Sequence, residues 1–145
     1  MQQNGLTPLA RELFARGWWM EIETNGTIVP RQPGLIDLLN QVNCSPKLAN
    51  SGDSEHMRIK PNALHALAAN EKVNFKFVVG DMQDADEIIT MVKSFQMQRV
   101  WIMGMGKTRE ELAKTTPIAK QMADAYGFKF SPRLHVELHG DKRGV

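Results

Sequence analysis

The stretch Asn74-Phe75-Lys76-Phe77-Val78-Val79, rich in β-branched and aromatic residues, reads as a strand. Asp84 to Phe95 follows as a helix with Ile88, Met91, Val92 and Phe95 on one side, and Arg99 to Met103 is again a strand. Strand, helix and strand with no hairpin turn between them describe a parallel pair joined by a right-handed crossover. The alternation extends in both directions. Upstream, Thr7-Pro8 reads as an N-cap with proline at the first helical position, and Leu9, Leu13 and Phe14 recur until Gly17. Trp18 to Glu23 is a strand, Pro33-Gly34 leads into a helical face over Leu35 to Leu39, and Val42 to Cys44 is a short strand. A loop, Ser45 to Arg58, precedes a helix opened by Lys60-Pro61 and carrying Leu64 and Leu67.

Downstream, Gly104-Met105-Gly106 turns the chain into Thr108-Arg109-Glu110-Glu111, a helix start with acidic residues in its first turn. Pro117 predicts a break into two helical pieces, the second capped by Thr116, with Ile118, Met122 and Tyr126 facing inward until Gly127. Arg133 to Leu138 alternates like a last strand. The expectation is an α/β fold in which parallel strands alternate with helices, open or part of a barrel, as one domain over residues 1–145. The chain opens on a helix with no strand before it, and Met1-Gln2-Gln3 looks like the middle of a loop. That predicts an uncovered sheet edge and a piece of something larger.

With 145 residues, 42% of them apolar, the chain is long enough for a real core. A net charge of +2, with Lys and Arg scattered, gives no sign of a nucleic-acid partner. A single cysteine, Cys44, excludes an internal disulfide framework, and no Cys or His cluster has ligand spacing for a self-contained zinc or iron-sulfur site. No run approaches the roughly 18 apolar residues of a membrane span, and the expected compartment is a reducing cytoplasm.

Two polar constellations end predicted strands, where parallel α/β proteins hold their ligands. Glu23-Thr24-Asn25-Gly26-Thr27 is either a simple Asn-Gly turn or a wall in which Glu23 accepts hydrogen bonds from a ligand and Gly26 lets backbone approach. Ser45-Pro46-Lys47 offers a hydroxyl and an ammonium held by a fixed backbone, suited to a ribose and to a carboxylate or phosphate. Its alternative is an exposed turn. The continuation Asn50-Ser51-Gly52-Asp53 makes the loop longer than connection requires. Gly104-Met105-Gly106-Lys107-Thr108 resembles the end of a phosphate-binding loop, but Trp101 stands where its first glycine belongs. The glycines there can still offer N–H groups to an anion or an adenosine. His135 and His139, four apart, would need a third ligand to hold a metal; a hydrogen-bonded structural role is the alternative.

Taken together, Glu23 to Thr27, Ser45 to Asp53, Phe75 to Val78, and the ending Pro132-Arg133-Leu134-His135-Val136 with Gly140-Asp141-Lys142-Arg143-Gly144 resemble 7-carboxy-7-deazaguanine synthase, a radical S-adenosylmethionine lyase. The resemblance runs over essentially the whole chain. It implies the carboxyl-terminal part of a partial (β/α) barrel that converts 6-carboxy-5,6,7,8-tetrahydropterin to 7-carboxy-7-deazaguanine, toward preQ0 and queuosine. It implies S-adenosylmethionine, a [4Fe-4S] cluster and Mg2+ as cofactors, and a homo-oligomer as the intact enzyme.

By the resemblance, Ser45, Pro46, Lys47 and the loop Met103, Gly104, Met105, Gly106 contact S-adenosylmethionine, and Glu23 and Asn25 line the same cavity. His135 and the terminal carboxylate at Val145 would lie near the pterin. The family's cluster cysteines, its magnesium-binding Thr and its Gly-Gly-Glu-Pro loop lie upstream of the region that matches, so this chain carries no metal ligands. His139 stands where the family frequently has Trp. Reducing the cofactor's sulfonium takes an electron from an iron-sulfur cluster, so the chain alone is expected to have no synthase activity. It would then pair with a cluster-bearing half or, alternatively, act as a non-catalytic S-adenosylmethionine-binding or regulatory module.

Overall fold

A computed structural model describes residues 3–30, 34–140 and 142; Met1, Gln2, Pro33, Asp141, Arg143, Gly144 and Val145, named above, lie outside them. The elements in order are α1 (Gln3–Ala15), β1 (Glu21–Thr24), α2 (Leu35–Leu38), β2 (Gln41–Cys44), α3 (Glu55–Arg58), α4 (Pro61–Ala68), β3 (Val73–Val79), α5 (Asp84–Phe95), β4 (Arg99–Gly104), α6 (Arg109–Tyr126), β5 (Lys129–Phe130) and α7 (Leu134–His139). All four strand pairings are parallel and the spatial order is β1-β2-β3-β4-β5, the order of the sequence. The α/β alternation expected from the sequence is therefore present, as an open five-stranded parallel sheet consistent with a partial (β/α) barrel.

Every crossover steps the same way, and right-handed crossovers that never reverse direction put their helices on one face. The burial pattern agrees. In β3, Val73, Phe75, Phe77 and Val79 are buried and alternate with half-buried Asn74, Lys76 and Val78. The buried set joins Val42, Cys44, Val100 and Ile102 with Leu64 and Leu67 of α4, Ile88, Met91 and Phe95 of α5, and Ala119, Met122 and Ala123 of α6 in one core. Register places Glu23 beside Asn43, Asn43 beside Asn74, Asn74 beside Arg99, and Lys76 beside Trp101 on the other face. Parallel sheets are ordinarily apolar on both faces; here one face is largely polar, and among the described residues the helices α4, α5 and α6 pack on the other. Side chains of the polar face bond to one another: Gln41 Nε2 donates to Asn43 Oδ1 at 2.9 Å, and Trp101 Nε1 donates to Asn74 Oδ1 at 3.4 Å.

Several expectations are corrected. α1 starts before Thr7, with Pro8 inside it, because Leu6 and Ala10 pack on the core and outweigh the backbone bond that proline forfeits. Strand β1 starts at Glu21, and Trp18 and Trp19 are exposed. The loop after β2 contains a short 3-10 turn over Ala49–Ser51 and the helix α3. Helix α6 is one piece with Pro117 in its interior. Leu112 before the proline and Ala119, Met122 and Ala123 after it form one buried stripe, and the exposed proline ring costs the helix only one bond. Tyr126 points outward, beside Phe128 with ring centroids 6.1 Å apart, and Ile118 is only half-buried.

The last strand is not Arg133 to Leu138. It is Lys129–Phe130, which pairs with Trp101 and Ile102, and residues 134–139 are the helix α7. Leu134 and Leu138 are exposed and only Val136 is buried in α7, while Arg109 donates from Nε to Glu137 O and from Nη2 to Leu138 O, both at 2.8 Å. Those bonds satisfy carbonyls that a helix end leaves open.

Candidate functional site

At the carboxyl ends of the strands the polar face widens into a cavity of about 750 Å³, a size suited to a cofactor with a small substrate. Its wall includes Glu23 in β1 and Asn25 after it, Ser45, Pro46 and Lys47 after β2, Met103 and Met105 at β4, and His135 of α7. These singled-out residues, distant in sequence, share one hollow. The structure adds Asn43, Lys76, Leu48, Val78 and Arg133, which the sequence does not single out for the site. The signal for the first two was the polar residue at every second position, Gln41 with Asn43 and Asn74 with Lys76, which assigns a face only once it is known on which side the helices pack.

Gly104 and Gly106 are not in the wall. A Cβ at Gly104 would lie 2.7 Å from Thr115 Oγ1, and one at Gly106 would lie 3.0 Å from the Leu112 backbone nitrogen. Both glycines admit α6 close to the strand end. Thr115 Oγ1 also donates to Met105 O at 2.6 Å, fixing the loop that carries the two methionines. His135 and His139 sit one helical turn apart, and only His135 reaches the cavity. Val145 lies outside the described residues.

Local bonds position the β1 and β2 loops. Gly26 has φ +75°, its N–H donates to Thr24 Oγ1 at 3.2 Å, and Thr27 N and Oγ1 donate to Asn25 Oδ1 at 3.2 and 2.8 Å. Ser45 N donates to Thr24 O at 2.7 Å, tying the two loops together, and the Pro46 side chain is fully buried. The loop after β2 is also bound to α5: Asn50 Nδ2 donates to Asp84 Oδ2 at 2.9 Å and to Val78 O at 3.0 Å.

The charged wall holds one carboxylate, Glu23, against Lys47, Lys76 and Arg133. Its field is positive, favouring a ligand with an anionic group. Among the described residues Glu23, Lys47 and Lys76 have no ion-pair partner, and Arg133 Nε is buried without a hydrogen bond. The two methionines add apolar, polarizable surface of the kind that takes a flat ring.

Metal ligation finds no support. Among the described residues no group of three or more His, Cys, Asp or Glu could hold a metal ion. Burial pushes the Cys44 thiol up to about 12, whereas a cluster needs the thiolate. Among the described residues there is no ligand set for an iron-sulfur cluster.

No family model matches the chain. Three curated relatives, each named 7-carboxy-7-deazaguanine synthase, do. The protein of Pyrobaculum aerophilum is 33% identical over 99% of this chain and 62% of its own length, and that of Halobacterium salinarum is 33% identical over 92% and 59%. The protein of Rhodopirellula baltica is 30% identical over 98% and 59%. Among the described residues no helix is long and apolar enough to cross a membrane. This chain is thus similar to proteins named 7-carboxy-7-deazaguanine synthase along nearly all of its own length, and it spans about three fifths of theirs.

Proposed function

We propose that this chain is the carboxyl-terminal part of a 7-carboxy-7-deazaguanine synthase-like radical enzyme, forming the wall that holds S-adenosylmethionine and a pterin, and that it has no synthase activity without a cluster-bearing half. The observation that carries the reading is the gathering of Glu23, Asn25, Ser45, Pro46, Lys47, Met103, Met105 and His135 at the carboxyl ends of the strands around one cavity. In this reading Lys47 meets a carboxylate, Ser45 bonds ribose hydroxyls, Met103 and Met105 cover the adenine, and Glu23 accepts N–H groups. Lys76, Arg133 and His135 would meet the pterin side. Bound S-adenosylmethionine supplies bond homolysis at its sulfonium once an electron arrives, and the electron source, with Mg2+, would belong to the other half. The intact assembly would be a homo-oligomer in the cytoplasm.

Calorimetric titration of the chain with S-adenosylmethionine and S-adenosylhomocysteine tests the wall. One-to-one binding that Lys47→Ala and Glu23→Ala each weaken by about tenfold, the weight of one charge-assisted contact, is expected; absence of binding at millimolar ligand sinks the reading. Reconstitution with iron and sulfide should leave no stoichiometric [4Fe-4S] chromophore, and a stable one would overturn the claim of inactivity alone. A second reading, a non-catalytic S-adenosylmethionine-binding or regulatory module, is favoured by the pairing of a formed cavity with no ligand set for a cluster among the described residues. It predicts the same binding and no gain of turnover when a cluster-bearing half is added.

A further inference from the structure

Arg58, at the end of α3, is only 7% exposed, and it forms an ion pair through Nη1 with Glu87 Oε1 of α5. The same Nη1 donates to Lys47 O at 3.2 Å, and Glu87 Oε2 accepts from Ala49 N at 2.8 Å. One ion pair, its Arg58 end buried and its Glu87 side chain 26% exposed, thus grips the backbone on both sides of Leu48, between Lys47 and Asn50, whose side chains line the cavity.

As a source of stability this is a poor arrangement. Taking the Arg58 guanidinium out of water, with Glu87 only half-buried beside it, has a desolvation cost that offsets much of their attraction, and apolar residues of similar volume often hold a fold at least as well. Arg58 also leaves Nε buried without a partner. What an apolar pair cannot do is fix a carbonyl and an N–H two residues apart. Glu87 lies in the first turn of α5, where the helix end favours a carboxylate.

We infer that Arg58 and Glu87 are positioning residues: they act through the backbone of Lys47 and Ala49 to hold the Lys47 ammonium at the cavity and neither touch the ligand nor stabilise the fold. The clamp is read from the chain alone, and its effect on a ligand rests on the function proposed above.

The test compares the full chain with the double variant Arg58→Met/Glu87→Leu by thermal unfolding, amide hydrogen exchange and titration with S-adenosylhomocysteine. Expected are an unfolding temperature equal to or above that of the parent, exchange at Ala49 to Gly52 faster by about tenfold or more, and affinity weaker by about tenfold. Unchanged exchange overturns the clamp, and faster exchange with unchanged affinity overturns its role at the cavity. A large fall in unfolding temperature also overturns it, since the pair would then be structural. Should the parent itself bind no S-adenosylhomocysteine, the proposed function falls and the exchange result alone decides the clamp. Glu87→Gln, at a partly exposed site that does not threaten folding, is the second variant: it weakens the pair and the bond to Ala49 N without emptying the site, so it too should speed exchange at Ala49 to Gly52, and no change there counts against the proposal.

Discussion

Gly26→Ala is the substitution with the most calculable consequence. Gly26 is buried at φ +75°, and a Cβ there would lie 2.8 Å from Cys44 Sγ and 2.9 Å from Leu64 Cδ2. Both neighbours are 0% exposed, so neither can swing into solvent. The left-handed backbone costs an L-residue about 1–2 kcal/mol, and overfilling a packed core costs about 1–3 kcal/mol more. The sum, about 2–5 kcal/mol, is a large part of the 5–15 kcal/mol (roughly) that a domain possesses. In urea titration the midpoint should fall with an unchanged slope, and at about 3 °C per kcal/mol the melting temperature should drop by about 6–15 °C. Cys44→Ala, destabilising by itself, should recover about 1 kcal/mol or more in the Gly26→Ala background because the Sγ contact disappears. A loss below about 1 kcal/mol, or strict additivity in the double variant, would refute the reasoning.

Pro117→Ala should stabilise the chain by about 1–2 kcal/mol, since it restores an N–H to the interior of α6 at an exposed position and gives back part of that gain through a freer unfolded chain; an unchanged urea midpoint would mean that the helix is already bent to accommodate the ring. Glu111 accepts from Lys107 N at 2.6 Å, and that backbone bond, foremost among its causes, holds its carboxyl below the ordinary 4.5. The folded carboxyl therefore stays ionised to lower pH than the unfolded one, so it favours the fold above pH 4.5 and that contribution disappears as pH falls through the depressed value. Glu111→Gln should flatten the acid limb of stability against pH below 4.5 and leave its shape near pH 7 alone; a limb as steep as the parent's would contradict this.

The elements legible in the sequence were those whose two periodicities agreed with their neighbours. Val73–Val79, Asp84–Phe95 and Arg99–Gly104 fall within a residue of expectation because alternation, helical stripe and turn residues all point the same way. Errors came where local rules met tertiary packing. Pro117 argued for a break, but a buried stripe running through it kept α6 whole. The alternation over Arg133 to Leu138 lost to the two-residue strand at Lys129–Phe130, which occupies the place beside β4 and leaves the following segment to α7. At the site, the polar residues after β1 and β2 were legible because a strand end with carboxylate, amide, hydroxyl and ammonium is chemically unusual. Arg58 and Glu87 were not, since an ion pair across 29 residues has no local signature. The packing role of Gly104 and Gly106, which make room for α6, was not legible either, because it depends on a helix that starts several residues later.

A sheet laid down in strict chain order separates the molecule's two rims. Loops that leave strands at their carboxyl ends meet the hollow, while those that return from helices, such as Asn70 to Lys72 and Gln96 to Gln98, emerge at the opposite end. A nick, an inserted tag or new chain termini placed at those returns would cut the polypeptide far from Lys47 and Glu23. The same surgery between Ser45 and Asp53 would sever the wall itself, so tolerance to rewiring should divide along the strand axis rather than along the sequence.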